Sequence, residues 1–374
     1  MSALRPRRKA ASGRKAAPRR KAAPLDDPRR QARLDPGGMG ERIESLPEQI
    51  RSGAAIAARA IRALDPERPR RLVLFGMGGS AIAGDFLRAT AERAGAVPVH
   101  VVRHYEPPAW LSRDDFLVFS SYSGETEETL AAFQATRSLG ARACVLSTGG
   151  TLAAEASSAG IPTALLPAGH PPRAALGYSF STLAAVASHI GVVPGLAERM
   201  EPAAQAVTSV VSGCGRHVLQ SRNSAKKLAI RLSGRAVLTV GAERGLAVVA
   251  QRWKGQINEN AKRLAWASAL PEMNHNEVDG FAGPKGAVGK LAVVLLREPD
   301  EHPRIRARFD WLAGWLKRRH VPAIPVTAEG EDAVARLLAA ATLGDFVSYY
   351  LAIQDGSDPS ALPGVTSLKE ALRR

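Results

Sequence analysis

Three segments of the chain concentrate residues able to hold an anion or move a proton. Gly76-Met77-Gly78-Gly79-Ser80 follows a short apolar run at 72–75. Glycines let an anion come close to the backbone. A helix beginning there supplies unpaired N–H groups and the positive end of its dipole. Ser120-Ser121-Tyr122-Ser123-Gly124-Glu125-Thr126 follows a second apolar run at 116–119. Ser121, Ser123 and Thr126 are suited to surround phosphate oxygens with donors while adding no fixed charge. The third segment, RWKGQINENAK at 252–262, continues at 270–277 as LPEMNHNE. Here Glu259 is a candidate general base and His275 a candidate ring-handling acid/base, both of the usual proton-transfer types.

Each feature also has a plainer reading. The glycine loop is open to being a tight turn only, or a dinucleotide site. The latter wants an acidic residue at the end of the second strand, where this chain has Arg103 and His104. A Walker loop needs Gly-Lys-Ser/Thr, which does not occur. Thr126 also suits a helix N-cap, and the serines suit turn positions. Glu259 has an alternative as an exposed helical carboxylate paired with Lys262, and His275 as a loop histidine bonded to backbone. Two such loops in one parallel sheet favour a ligand, because ligands collect at the carboxyl ends of parallel strands.

The elements that must position these residues follow from periodicity. Buried strands are expected at 72–75, 99–102, 116–119, 143–146 and 163–166, with helices at 80–93, 127–139, 152–159 and 178–190. After the Pro194-Gly195 break, a long helix is expected at 201–221, and strands at 236–240, 291–296 and 323–326. Helices are expected at 246–264, 304–319, 331–341 and 343–353. Strands alternating with helices at this spacing mean parallel α/β sheets. Two domains of similar design are expected, divided near residue 195.

The chain has 374 residues and 45% apolar composition, enough for two packed cores. Cys144 and Cys214 are the only cysteines and lack CxxC spacing, so a disulfide framework or zinc site is not expected. A reducing cytoplasm is the expected compartment. No apolar run of membrane-spanning length and no apolar stretch behind the basic N-terminus are found, so neither a membrane span nor a secretory signal is expected. The net charge is +16, but residues 1–37 hold twelve Arg/Lys against three Asp. Residues 1–38 are therefore expected to be a basic disordered tail, and nucleic acid is a candidate partner for that tail alone. Met39 opens the first segment with a folded pattern and is an alternative start of translation.

Taken together and in this order, the segments resemble the bifunctional phosphoglucose/phosphomannose isomerase family, which is built from two sugar-isomerase (SIS) domains. The resemblance covers nearly all of residues 39–374. It rests on FGMGGSAIAGD, SSYSGETEET, LPAGHPPRAALGYSF, KGQINENAK with LPEMNHNE sixteen residues later, and the terminal SLKEAL; the basic tail departs from the family pattern. It implies an α/β fold of two SIS-type domains, 39–195 and 196–374, each a parallel sheet flanked by helices in a three-layer sandwich. It implies that Gly78, Gly79, Ser80, Ser121, Ser123 and Thr126 hold a sugar phosphate, that Arg173 lies near the reacting carbons, and that Glu259 is the base. It further implies that His275 opens the sugar ring from a partner subunit, that Lys369 joins the site, and that the protein is a homodimer with shared active sites. The implied reaction interconverts glucose 6-phosphate and/or mannose 6-phosphate with fructose 6-phosphate through a cis-enediolate, with no metal or cofactor. A non-catalytic SIS-domain sugar-phosphate regulator is the alternative.

Overall fold

The computed structural model describes residues 23–94 and 97–372. The N-terminal sheet contains β1 (Leu72–Gly76), β2 (Val99–Val102), β3 (Phe116–Ser120), β4 (Arg142–Ser147) and β5 (Thr163–Leu165), all parallel and ordered β2-β1-β3-β4-β5. β1 and β3 are buried along their whole length. That is why they read as continuous apolar runs rather than alternating ones: helices cover both faces. The C-terminal sheet contains β6 (Ala236–Ala242), β7 (Ala265–Leu270), β8 (Leu291–Arg297) and β9 (Ala323–Thr327), again parallel, in the order β7-β6-β8-β9.

The expected strands are all present. Three features differ. β7 is not among the expected strands, because this edge strand carries Trp266 exposed and otherwise only Ala and Ser before Leu270, so no run of large apolar residues marks it. The helix expected at 201–221 stops at Cys214, and a second helix, Ser224–Leu232, starts where the Asn223 carboxamide oxygen accepts the Lys226 N–H at 2.9 Å. The two helices expected between 331 and 353 are one, Ala333–Asp355. Gly344 does not break it. A Cβ there would lie 2.1 Å from the Trp253 indole nitrogen, so glycine permits the close approach of helix Ala247–Ala261, where Trp253 also donates to the Ala340 carbonyl at 2.8 Å. By length and mean hydropathy of 1.2 the helix Ala333–Asp355 is long and apolar enough to cross a membrane, but it lies in the core, with 89% of its most apolar window buried.

The tail boundary also shifts. Residues 1–22 lie outside the described residues, but 23–38 are folded. Asp27 caps helix Pro28–Leu34 by accepting from the Arg29 N–H, and Leu25 is buried. Asp26 accepts from Lys226 at 3.0 Å, and Arg30 donates to the carbonyls of Ile353 and Gln354. Asp35 accepts from the N–H groups of Met39 and Gly40, joining this stretch to helix Met39–Glu44. Composition points to disorder, yet Asp-Pro at 27–28 is a helix start, and the three aspartates supply the contacts.

Candidate active site

Gly76 at the end of β1 pairs with Ser120 at the end of β3. The glycine loop and the hydroxyl loop therefore leave the sheet side by side and on the same edge. They are also bonded to each other. The Ser80 hydroxyl accepts the Tyr122 N–H at 3.0 Å, and the Ser120 hydroxyl donates to the Ser80 carbonyl at 3.1 Å. Ser121 lies 2.8 Å from Thr126, hydroxyl to hydroxyl, and accepts from the Gly124 N–H. Ser123 accepts from the Glu125 N–H. These hydroxyls thus do the turn-forming work of the plainer reading. Ser80 and Ser123 only accept in these bonds, so their protons stay available for an anion. Glu125 is turned away, accepting from the N–H and hydroxyl of Thr151. Thr126 precedes helix Glu127–Thr136 without capping it through its side chain.

Gly79 opens helix Gly78–Ala94 beside the turn that carries Arg173. A Cβ at Gly79 would lie 2.7 Å from the Pro172 carbonyl carbon and 2.8 Å from the Arg173 nitrogen. Only glycine allows this approach. Where the two meet, a cavity of about 180 Å³ opens between the domains, lined by Gly78, Gly79, Arg173, Lys254, Gln256 and Glu259 among others. Arg173 is buried, and its Nη1 lies 3.5 Å from a carboxylate oxygen of the half-buried Glu259. Burial pushes the Arg173 guanidinium down from its ordinary range, against the opposing pull of the Glu259 and Asp358 carboxylates. The four hydroxyl residues are not among the lining side chains; they adjoin the cavity through Ser80 and its helix.

Family models match both halves of the chain: the SIS domain over residues 67–163, and the bacterial phospho-glucose isomerase C-terminal SIS domain over 221–372. A bifunctional phosphoglucose/phosphomannose isomerase of Caldicellulosiruptor bescii is 33% identical over 89% of this chain and 98% of its own. One of the same name from Aquifex aeolicus is 33% identical over 81% of this chain and 90% of its own. The chain belongs to the bifunctional phosphoglucose/phosphomannose isomerase family. Among solved structures, a hypothetical protein from Thermus thermophilus superposes with a TM-score of 0.70 at 19% identity, covering 92% of this chain and 93% of that one. A tagatose-6-phosphate ketose/aldose isomerase of Escherichia coli reaches 0.67 at 18% identity, covering 86% and 95%. At such identities these two show the fold.

Two of the four catalytic residues implied by that family, Arg173 and Glu259, meet in this cavity; the other two do not. His275 ends the short turn Glu272–His275 beyond β7, is exposed, and is not a lining residue. Lys369 sits on helix Pro363–Leu372, every described residue of which is exposed. The pairing of Glu259 with Lys262 is not formed: Lys262 turns to the carbonyls of Asn260 and Asp358. Burial and the nearby Arg173 hold the Lys262 amine below its ordinary value. Arg103, whose position argues against a dinucleotide, pairs with Asp85 on the cavity wall.

Sequence reasoning missed the polar network behind the cavity. On helix Ala247–Ala261, Arg252, Gln256 and Asn260 recur every four residues and face helix Ala333–Asp355. Arg252 makes a two-pronged bond to Asp345 at 3.0 and 2.6 Å, and Gln256 donates to the same carboxylate at 2.8 Å. Arg252 also donates to the Arg173 carbonyl at 2.9 Å. Burial raises the Asp345 carboxyl above the usual carboxylate range, and Arg252 opposes it. An Asp in the middle of a long apolar helix is the available signal, since such a residue demands a buried partner. Among the described residues, no group of three or more His, Cys, Asp or Glu is placed to hold a metal ion.

Proposed function

We propose that this chain interconverts glucose 6-phosphate and mannose 6-phosphate with fructose 6-phosphate by proton transfer. The observation that carries this reading is the Arg173–Glu259 pair held against the glycine loop of a chain in this family. A binding-only regulator needs the loops but has no use for a carboxylate poised against a buried arginine.

In this mechanism the phosphate sits on the N–H groups of Gly78 and Gly79 and on the hydroxyls of Ser80, Ser121, Ser123 and Thr126. Remote binding of the phosphate then orients the reacting carbons. With the ring open, Glu259 removes the C2 proton, leaving a cis-enediolate, and returns that proton to C1. The proton on the C2 hydroxyl is lost and one is gained at O1, so the isomerisation balances without an external oxidant. Nη1 of Arg173 stabilises the developing oxyanion, in a site where the exclusion of water strengthens that attraction. No step calls for a metal or cofactor.

His275 and Lys369 enter this scheme only through assembly. We assign His275 the ring-opening role in the cavity of a second copy, and Lys369 a proton-transfer role at the ring oxygen and O1. Support comes from uncovered surface. β7 forms an open, uncharged sheet edge with Trp266 exposed, and Leu264 beside it is exposed too. Helix Pro363–Leu372 turns Val365, Leu368 and Leu372 to solvent. Uncharged edges and apolar stripes of this kind are normally covered. A homodimer with shared sites is therefore part of the proposal. A reducing cytoplasm is the compartment that suits the buried, unpaired Cys144 and Cys214.

A coupled assay for fructose 6-phosphate tests the reading. Wild-type protein is expected to turn over both aldose phosphates. Glu259→Gln is expected to keep sugar-phosphate binding and lose turnover by about 10²–10⁴-fold, the usual share of a general base. Wild-type protein that is folded and inactive on both sugars overturns the proposal.

A further inference from the structure

The Arg173 guanidinium has five N–H donors, and the structure shows where they go. Nε donates to the Asn260 carboxamide oxygen at 2.8 Å. Nη2 donates to the carbonyls of Pro359 and Ser360 at 2.8 and 3.1 Å. The two donors on Nη1 are left facing Glu259 and the cavity. Nothing intrinsic to an arginine side chain makes this choice, since a turn about its last torsions would present a different edge. Asn260 is fully buried and is itself held from behind. Its amide nitrogen donates to Ser348 at 2.9 Å, and Ser348 donates to the Asp345 carbonyl at 2.7 Å. Asn260 is also the residue directly after Glu259, so a single helical step links the base to the group that aims its cation.

We propose that Asn260 is a positioning residue: by accepting from Nε of Arg173 it fixes which edge of the guanidinium faces the substrate, and so keeps two free donors on the oxyanion side. This rests on the preceding reading, in which Arg173 and Glu259 act together. Asn260 does not touch the cavity and is not among its lining residues. Its effect passes through Arg173. Because Nη2 takes the carbonyls of Pro359 and Ser360, the same arginine also anchors the chain just before the helix that carries Lys369.

Three variants separate aiming from mere support. Asn260→Leu keeps the branched shape and removes the acceptor. Asn260→Ser, whose hydroxyl falls short of Nε, makes the same deletion with less bulk. Ser348→Ala leaves the acceptor on Asn260 and removes the bonds behind it, from Asn260 to Ser348 and from Ser348 to the Asp345 carbonyl. Either Asn260 variant is expected to lower kcat by about ten- to a hundredfold, the cost of misplacing a reacting group by around an ångström. KM for fructose 6-phosphate is expected to change less than about threefold, because phosphate binding is remote. Ser348→Ala is expected to leave kcat near wild type while lowering Tm. The proposal is overturned by Asn260 variants that keep wild-type kcat per folded protein, or by losses that Ser348→Ala reproduces in full. Absence of turnover in the wild type instead sinks the isomerase reading. In that event a crystal structure of Asn260→Leu still decides the positioning: Nη1 unmoved beside Glu259 overturns it, and a rotated guanidinium supports it.

Discussion

Glu259 and His275 lie in one chain but not in one cavity, and that separation makes a quantitative prediction. If the site is shared, each active site of a two-fold dimer takes Glu259 from one chain and His275 from the other. Glu259→Gln alone, or His275→Ala alone, then disables both sites, each by about 10²–10⁴-fold as expected for a lost acid/base group. In a mixed dimer the two defects fall together in one site, and the other site is intact. Equal amounts of the two variants, unfolded and refolded together, give about half mixed dimers by random pairing around an isologous two-fold interface. Each of these has one working site out of two. The mixture should therefore recover about a quarter of wild-type kcat per total chain, far above the residual rate of either variant. The assay is fructose 6-phosphate formation measured before and after mixing, with size-exclusion chromatography to confirm dimers. A mixture no faster than its components, with mixed dimers demonstrated, refutes the shared site. So does a fully active His275→Ala homodimer.

Two further outcomes follow from the geometry. Gly79→Ala places a methyl group 2.7 Å from the Pro172 carbonyl carbon and 2.8 Å from the Arg173 nitrogen, so the arginine turn must move. We expect kcat to drop by about a hundredfold from that displacement, and steady-state kinetics on a folded variant checks it. Removing residues 1–38 should cost about 3 kcal/mol relative to removing 1–22, because it exposes the surface that buries Leu25 and deletes the bonds of Asp26 to Lys226 and of Arg30 to Ile353 and Gln354; parallel denaturation curves of the two truncations decide this.

How far the sequence reveals this protein depends on whether a feature is carried by local pattern or by tertiary partners. Fully buried strands such as β1 and β3 show as unbroken apolar runs, and the glycine and hydroxyl loops follow them directly. Glu259 is legible as a candidate by residue type, but its partner is not. Spacing points to Lys262, three residues on, while the fold supplies Arg173 from the other domain. Asn260, Arg252 and Asp345 escape for the same reason. Arg173 and Asn260 are 87 positions apart, Arg252 and Asp345 are 93 apart, and no local signal pairs them. β7 lacks a pattern because between Ala265 and Leu270 it holds an exposed Trp266 and otherwise only Ala and Ser. The folded stretch at 23–38 is hidden by basic composition, although Asp27-Pro28 marks its helix start.

The placement of polar groups behind the cavity has its own logic. A buried Arg252–Asp345 pair is a costly way to join two helices, and an apolar pair of equal volume is often as stable or more so. What apolar packing cannot do is fix direction. Arg252 grips the Arg173 carbonyl, and Asn260 grips the Arg173 side chain, so one residue is held at both its backbone and its guanidinium. Both grips start from helix Ala247–Ala261, which also carries Glu259, and both are backed by helix Ala333–Asp355 through Asp345 and Ser348. The network thus ties an N-terminal-domain arginine to a C-terminal-domain carboxylate more tightly than the packing of two domains alone would. Relative motion of the domains would otherwise alter the 3.5 Å separation on which the proposed chemistry depends. The residues spared from this scaffold, His275 and Lys369, are those left on uncovered surface. One half of the site is built within one chain, and in the proposed scheme a second copy completes it.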